Sequence, residues 1–503
     1  MSPVLSRWQS FGIILAAAAY VPLLFWSTNL TDLARPWVSV CIYLMVGLVV
    51  WFAVNYGLRK WHRPATYLAA LLLLLGAGGD AVLSTVGISG FLGLLSILVF
   101  IVLKLAHTRL LYLFLSALTI FFVLSPLGNA VEGLINWGSP TVNRQSGLFT
   151  GANLDGGSDV FLLVLDAYGG HLALEAEFEF DNHALLHELK QRGFEVPTAW
   201  ASYPLTYYSI PSLLDMGYVA NNETVTSSAS EAYLHRMTGG DNQFVSVFRA
   251  SGYEFTMIEA GWGGSRCGEN VDNCVPAPIY SDGLSAIAAS SVLGNNLLTQ
   301  LGSGFTQGSL ASMNWIRSNA SSLSSNGVRD LVFAHLLVPH PPTFLDSECR
   351  VRAPAIYTTF ILSSPGDSKA VVEARKAGYL EQVECVNQFI REFVDLVGPD
   401  STIVILGDHG PETLNQLFTD PAYWSERQIV ERLNAFLAVR TSESCDLSSP
   451  IVLPNVLRAI VGCLSGVREP KLPDRLFIVV ELERGAAFHE VTKERVRSLL
   501  TAK

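Results

Sequence analysis

The chain has 503 residues, of which 50% are hydrophobic and only 15% charged, and its formal net charge is −11. Soluble domains carry about 25% charged residues, so the composition excludes a wholly soluble globular protein. It equally excludes an intrinsically disordered chain, which needs few apolar residues and much charge. The acidic balance argues against a nucleic-acid partner, which calls for a basic face.

Charge and hydropathy divide the chain near residue 136. Residues 1–135 hold seven Lys and Arg against three acids, or +4, which leaves 26 basic and 41 acidic residues, or −15, for residues 136–503. A bilayer core is crossed by about 20 mostly apolar residues in a helix. The first part offers five such segments, at about 11–26, 38–58, 67–83, 88–105 and 110–127. No small-x-small cleavage site follows the first segment, which argues for a span over a signal peptide. Arg7, the group Arg59, Lys60 and Arg63, and the pair Lys104 and Arg109 fall on one side of a five-span arrangement. Basic loops stay cytoplasmic. The expectation is a multi-pass cell (inner) membrane protein with a cytoplasmic amino terminus and residues 136–503 outside the cytoplasm.

Residues 136–157 are rich in Gly, Ser, Asn and Thr and read as a linker. From 158 to 503, short apolar runs alternate with helical patterns. The run Asp159–Leu165 is nearly continuous and apolar, as a strand buried on both faces should be. It ends at Asp166. A helical pattern over 184–192 stops at Gly193. Further strands are expected at 254–259, 331–338, 402–406, 435–439 and 476–480, and helices at 370–397 and 454–463. Such alternation predicts an α/β domain with a mostly parallel central sheet.

Six of the seven cysteines lie in this second part. An even number outside the cytoplasm predicts disulfides. Cys267 and Cys274 enclose a short polar loop and make the expected pair. Pairing of the other four stays open, and a thiol zinc site is the rival reading, although no CxxC spacing occurs.

In open α/β sheets, ligands bind beyond the carboxyl ends of the strands. Three strand ends here offer Asp166, then His340 in the run Pro339-His-Pro-Pro342, then Gly407-Asp408-His409-Gly410. Carboxylates and imidazoles suit a divalent cation of hard to borderline character. Singly, an Asp at a strand end also reads as a helix cap, and a His before Pro-Pro as a loop residue.

Taken together, these segments resemble the alkaline phosphatase/sulfatase superfamily, and within it the membrane-anchored branch of phosphoethanolamine transferases and lipoteichoic acid synthases. The run Val160–Gly169, with Asp166, resembles that family's opening strand and first metal ligand. Ile405-Leu-Gly-Asp-His-Gly410 resembles its closing metal motif, which carries ligand roles onto Asp408 and His409. Thr206-Tyr-Tyr-Ser-Ile-Pro211 is similar to the nucleophile segment, Thr-x-x-Ser-aliphatic-Pro, and makes Thr206 the implied nucleophile and metal ligand. His335 and His340 match a pair of histidines five apart that serves the phosphate. The branch usually has Glu where Asp166 stands, and no His follows Asp408-His409 until His489. The resemblance therefore implies one divalent metal ion, Zn, Mn or Mg, rather than a complete pair. Ser209-Ile-Pro-Ser-Leu213 lacks the Arg that sulfatase maturation requires, which disfavours sulfate chemistry.

The resemblance implies a phospho-head-group transferase. A membrane phospholipid would be the donor, of phosphoethanolamine or phosphoglycerol, and an envelope glycan or lipid the acceptor, through a phospho-threonine. Arg350, Arg266 and Trp262 are candidate substrate-binding residues. A phosphodiesterase or phosphatase with the same site, and a non-catalytic sulfatase-like membrane protein, are the alternatives.

Overall fold

The computed structural model describes residues 6–28, 36–61, 64–73, isolated positions between 100 and 124, and most of 147–501 except 279–306 and 352–361, with shorter gaps elsewhere. The described residues divide into two compact units, one within residues 1–136 and a larger one within residues 147–501.

In the first unit, Arg7–Thr28 and Pro36–Phe52 are helices, the second running into a π-helical turn at Ala53–Gly57. They pack closely: a β-carbon on Gly47 would meet that of Ala18 at 2.8 Å. Small residues at helix contacts are what close approach of two backbones requires. Among the described residues, one helix, Val40–Gly57, is long and apolar enough to cross a membrane, and Pro64–Leu73 is a shorter apolar helix. The expected spans at 88–105 and 110–127 lie largely outside the described residues.

The larger unit is an α/β domain with a mostly parallel central sheet. Its six strands are β1 (Val160–Leu165), β2 (Glu254–Ile258), β3 (Asn273–Val275), β4 (Asp330–Leu336), β5 (Thr402–Gly407) and β6 (Leu437–Arg440). Their spatial order is β3-β2-β4-β1-β5-β6, and only β6 is antiparallel to its neighbour. The central position of β1 explains its unbroken apolar run. Both its faces are covered: Leu162 and Val164 belong to one core, Phe161 and Leu163 to the other. The helix Leu453–Ser465 packs into the first core, and Lys369–Leu396 and Gln307–Leu323 into the second.

Three details differ from expectation. The run at 476–480 is a strand, Phe477–Glu481, but it pairs only with Ala486–Glu490, in a separate antiparallel hairpin. Its Phe477 and Phe488 pack against Tyr203 and Tyr208 instead of entering the sheet. Phe149 and Leu154, within the stretch read as a linker, are buried in the first core. The edge strand β3 is only three residues long, too short to leave a periodic signal.

Three disulfides join Cys267–Cys274, Cys349–Cys385 and Cys445–Cys463. Glu259 lies beside the first pair, but sulfurs bonded to each other supply no thiolates, so this group holds no zinc site.

Candidate active site

The site arises from strand periodicity. Side chains alternate across a sheet with period two. On β4, Leu331 and Phe333 face the first core, so His335 shares their side. On β5, Val404 and Leu406 do the same, and a further step of two arrives at Asp408. On β1 that step arrives at Asp166. Register puts Val164 opposite both His335 and Leu406. Three neighbouring parallel strands thus deliver Asp166, His335 and Asp408 to one face at the carboxyl edge.

The distances confirm the meeting. His335 Nε2 lies 3.5 Å from Asp166 Oδ2, and His409 Nε2 lies 3.4 Å from Asp408 Oδ2 and 3.8 Å from Asp166 Oδ1. All four side chains are buried. Ligand atoms of Asp166, His335 and Asp408 are within 4.8 Å of one another.

Asp166 Oδ1, His335 Nε2 and Asp408 Oδ2 are buried with no hydrogen-bond partner. Orphaned buried polar atoms are rare and costly, and three converging ones fit a cation. His335, expected from the resemblance to serve the phosphate, lies within this ligand group.

Loop geometry holds the ligands. Asp408 Oδ1 accepts from the backbone N–H groups of Ala167 and His409, each at 3.0 Å, tying the β1 and β5 loops together. Ala167 adopts φ 58°, unusual for a residue with a side chain. The Tyr379 hydroxyl donates to its carbonyl at 2.8 Å. The glycines flanking Asp408-His409 are required by close approach: a β-carbon on Gly407 would meet Tyr168 O at 2.1 Å, and one on Gly410 would meet Glu431 O at 1.9 Å.

Thr206 is the first residue of a helix, Thr206–Leu214, whose Ile210, Leu213 and Leu214 anchor it in the first core. Ser209 Oγ donates to the Asp408 carbonyl at 2.6 Å, fastening the helix to the β5 loop. Thr206 Oγ1 then lies 3.2 Å from His409 Nε2. His409 Nδ1 lies 3.0 Å from the Gly410 carbonyl, which can only accept, so Nδ1 carries the proton. Nε2 therefore offers a lone pair to the Thr206 hydroxyl or to a metal. A helix amino terminus also favours negative charge on the threonine oxygen or a phosphate beside it.

The electrostatics are those of two carboxylates in one dry pocket. Burial, and then the charge of Asp166, push the Asp408 carboxyl up to about 7. Burial works against ionisation of Asp166 as well, yet His340, His335 and His409 together hold it below the usual carboxylate range. Burial, reinforced by Arg432, holds His409 well below the ordinary histidine value, so its imidazole is neutral at pH 7.

His340 is half-buried, and its Nδ1 donates to the Pro341 carbonyl, which leaves the lone pair of the neutral ring on Nε2. Arg350 is exposed and engaged by Asp346 and Glu348, at 2.9 and 2.7 Å. Arg266 lies half-buried beside His235. Trp262 lies outside the described residues.

Two site residues escaped the sequence reading. Ser265 Oγ lies 2.7 Å from His335 Nδ1, and nothing in its neighbourhood marks it. Gln382 is buried, and its amide accepts from Phe344 N and Leu345 N while donating to Pro339 O and His340 O. A signal existed for Gln382: it is a polar residue inside the apolar stripe Tyr379, Val383, Val386 and Ile390 of its helix.

No family model and no curated protein matches the sequence. Solved structures do. The chain is similar to the integral membrane lipooligosaccharide phosphoethanolamine transferase A of Neisseria meningitidis, at 12% identity and TM-score 0.39, over 90% of this chain and 95% of that one. It is similar to the C-terminal periplasmic domain of EptC from Escherichia coli, at 13% identity and TM-score 0.40, over 70% and 95%. A phosphonate monoester hydrolase of Silicibacter pomeroyi matches at 14% identity and TM-score 0.42, over 65% and 81%.

Proposed function

We propose that this protein is a membrane-anchored, metal-dependent transferase that moves a phospho-head-group, phosphoethanolamine or phosphoglycerol, from a phospholipid to an envelope glycan or lipid. The observation that carries this reading is the 3.2 Å approach of Thr206 Oγ1 to His409 Nε2, beside three orphaned buried ligand atoms.

Asp166, His335, Asp408 and His409, with Thr206, would hold one divalent cation, Zn, Mn or Mg. When bound, such a cation stabilises an alkoxide at neutral pH and polarises a phosphoryl oxygen. Thr206 gives up its hydroxyl proton to solvent, and its Oγ attacks the phosphorus of the lipid head group to form a phospho-threonine diester. The bond from phosphorus to the glycerol oxygen of the diacylglycerol breaks. That oxygen takes a proton from Nε2 of His340 in its imidazolium form and leaves as the free alcohol, which leaves His340 neutral with its proton on Nδ1. An acceptor hydroxyl then gives its proton to His340 Nε2, attacks the same phosphorus and releases the Thr206 oxygen, which restores the imidazolium. A lipid donor gives a physical reason for the apolar amino-terminal third, because the scissile phosphate lies at the interface.

The spans read from sequence, odd in number with basic loops on one side, would place residues 1–135 in the membrane and the domain from 158 to 503 outside the cytoplasm. Three disulfides in that domain support an oxidising compartment.

The test is intact-protein mass spectrometry after incubation with fluorescent phospholipid. An adduct of one phospho-head-group on Thr206, absent in Thr206→Ala, is expected, with diacylglycerol release that stops on chelation. Full diacylglycerol release by Thr206→Ala would overturn the mechanism. Release of the head group to water, unaffected by glycan acceptor, would make the protein a hydrolase. A purified protein that neither holds metal nor turns over lipid would make it a binding module.

A further inference from the structure

Arg432 is a buried cation without an acid. It stands near the end of the helix Glu426–Leu433, only 6% exposed, and among the described residues no carboxylate pairs with it. Burying an unpaired charge is costly, so stability alone does not account for the guanidinium. Its Nη1 donates to the Gly410 carbonyl at 2.8 Å, and its own carbonyl accepts from Gly410 N at 2.8 Å. One residue thus holds the peptide groups on both sides of Gly410. The close approach to Glu431 O requires glycine there, and glycine brings backbone freedom. The two bonds from Arg432 remove that freedom.

The Gly410 carbonyl has a second donor, His409 Nδ1 at 3.0 Å. A carbonyl oxygen has two lone pairs and accepts both. If this carbonyl turned away, Nδ1 would lose its acceptor, and the ring would be free to turn or to change tautomer. Nε2 would then no longer be held 3.2 Å from Thr206 Oγ1. Partners on the second nitrogen fix the plane and tautomer of metal-ligating histidines. Here that partner is itself held, by a charge. The next two residues hold backbone by neutral groups only. Leu433 O accepts from Ala201 N, and Asn434 O accepts from Gly170 N. The Asn434 side chain accepts from Ala173 N and donates to Ala199 O. These bonds fix the stretch before Thr206 and the loop after Asp166. Of the three residues only Arg432 brings a charge, and it brings it to the carbonyl that His409 uses.

We propose that Arg432 is a positioning residue for His409: through the Gly410 carbonyl it fixes the ring plane and the tautomer that present Nε2 to Thr206 and to a cation. Its effect on turnover rests on the transferase reading; its effect on the ring does not. Arg432→Met removes the donor and the charge and leaves an unbranched apolar side chain. His409 Nδ1 still satisfies the Gly410 carbonyl in that variant, so stability in denaturant should hold or rise. The ring should nevertheless lose its fixed state. Side-chain nitrogen NMR of histidine-labelled, metal-free, full-length protein in detergent reads this, with His409→Gln to assign the signal. The wild type should show the Nδ1–H form alone, and Arg432→Met a mixture of tautomers. Zinc affinity, by competition with a chelating dye, should fall about 10- to 100-fold. Arg432→Lys, which keeps a charged donor for the carbonyl, should recover the single tautomer and most of the affinity. An unchanged His409 signal with unchanged zinc affinity in Arg432→Met would overturn the proposal. So would failure of Arg432→Met to fold, or a loss of stability in either variant with the His409 signal unmoved, since the bond would then be structural. On fluorescent phospholipid, kcat of Arg432→Met should fall at unchanged KM. A displaced His409 signal in a protein that never forms a Thr206 adduct would keep the positioning role and remove the transferase reading.

Discussion

Ser265 Oγ lies 2.7 Å from Nδ1 of His335, and both side chains are buried. Through this contact the segment after β2 orients a candidate ligand that comes from β4. If the serine oxygen accepts, Nδ1 holds the proton and Nε2, orphaned beside Asp166, is left to bind a metal. Partners of this kind tune metal affinity by about 10- to 100-fold. Ser265→Ala should weaken metal binding by that factor, read by competition with a chelating dye. Unfolding of the metal-free protein should change by only about 1 kcal/mol. Unchanged metal affinity would remove the serine from the site.

Metal binding should also depend on pH through Asp408. Its carboxyl is pushed up to about 7, chiefly by burial, and a metal requires the anion. Affinity should therefore rise between pH 6 and pH 8 and then level off. Titration calorimetry in buffers of different ionisation enthalpy should find protons released at pH 6 and fewer at pH 8. Stability follows with the opposite sign for the metal-free form. A carboxyl whose folded value is raised contributes stability at low pH, and that contribution is lost as pH rises through about 7. The gap in melting temperature between loaded and chelated protein should widen over the same interval.

Ala167 occupies φ 58° directly after the Asp166 ligand. Left-handed backbone costs a residue with a β-carbon about 1–2 kcal/mol, part of which glycine regains at the expense of unfolded-state entropy. Ala167→Gly should be neutral or stabilising by up to about 1 kcal/mol, and metal binding should persist. Ala167→Val places a branched side chain at a buried left-handed position and should destabilise by about 2 kcal/mol or more. Equal stability of the two variants in denaturant titration would contradict this account.

Gln382 fastens the loop that carries His340. Gln382→Leu removes four hydrogen bonds and leaves two backbone N–H groups and two carbonyls without their partner. The expected cost is about 2–4 kcal/mol. If His340 protonates the leaving oxygen as proposed, loss of its position should lower kcat more than it raises KM. A variant with reduced stability and unchanged kcat would confine Gln382 to a structural role.

Sequence by itself determined the long buried strands β1, β2, β4 and β5 and the side each of their residues takes, because a strand buried on both faces leaves a continuous apolar run and a fixed period of two; the three-residue edge strand β3 left no such run. Asp166, Asp408 and His409 were legible as residues standing just past such runs, and His340 as one in the loop after a third. The cysteine pair Cys267 and Cys274 was legible because only six residues separate them. Tertiary structure decided which runs become neighbours. The order β4-β1-β5 brings together side chains 169 and 242 positions apart in the chain, His335 and Asp408, around Asp166. It also decided that Thr206 opens a helix whose apolar side docks on the same core, so that its hydroxyl reaches His409 across 203 positions. Nothing local encodes that reach. Ser265 stayed invisible for the same reason, and the pairing of Arg350 with Asp346 and Glu348 of its own loop is likewise a matter of the folded loop. Chain-local patterns record which side of an element faces the core; the meeting of distant elements depends on packing, which no single segment contains.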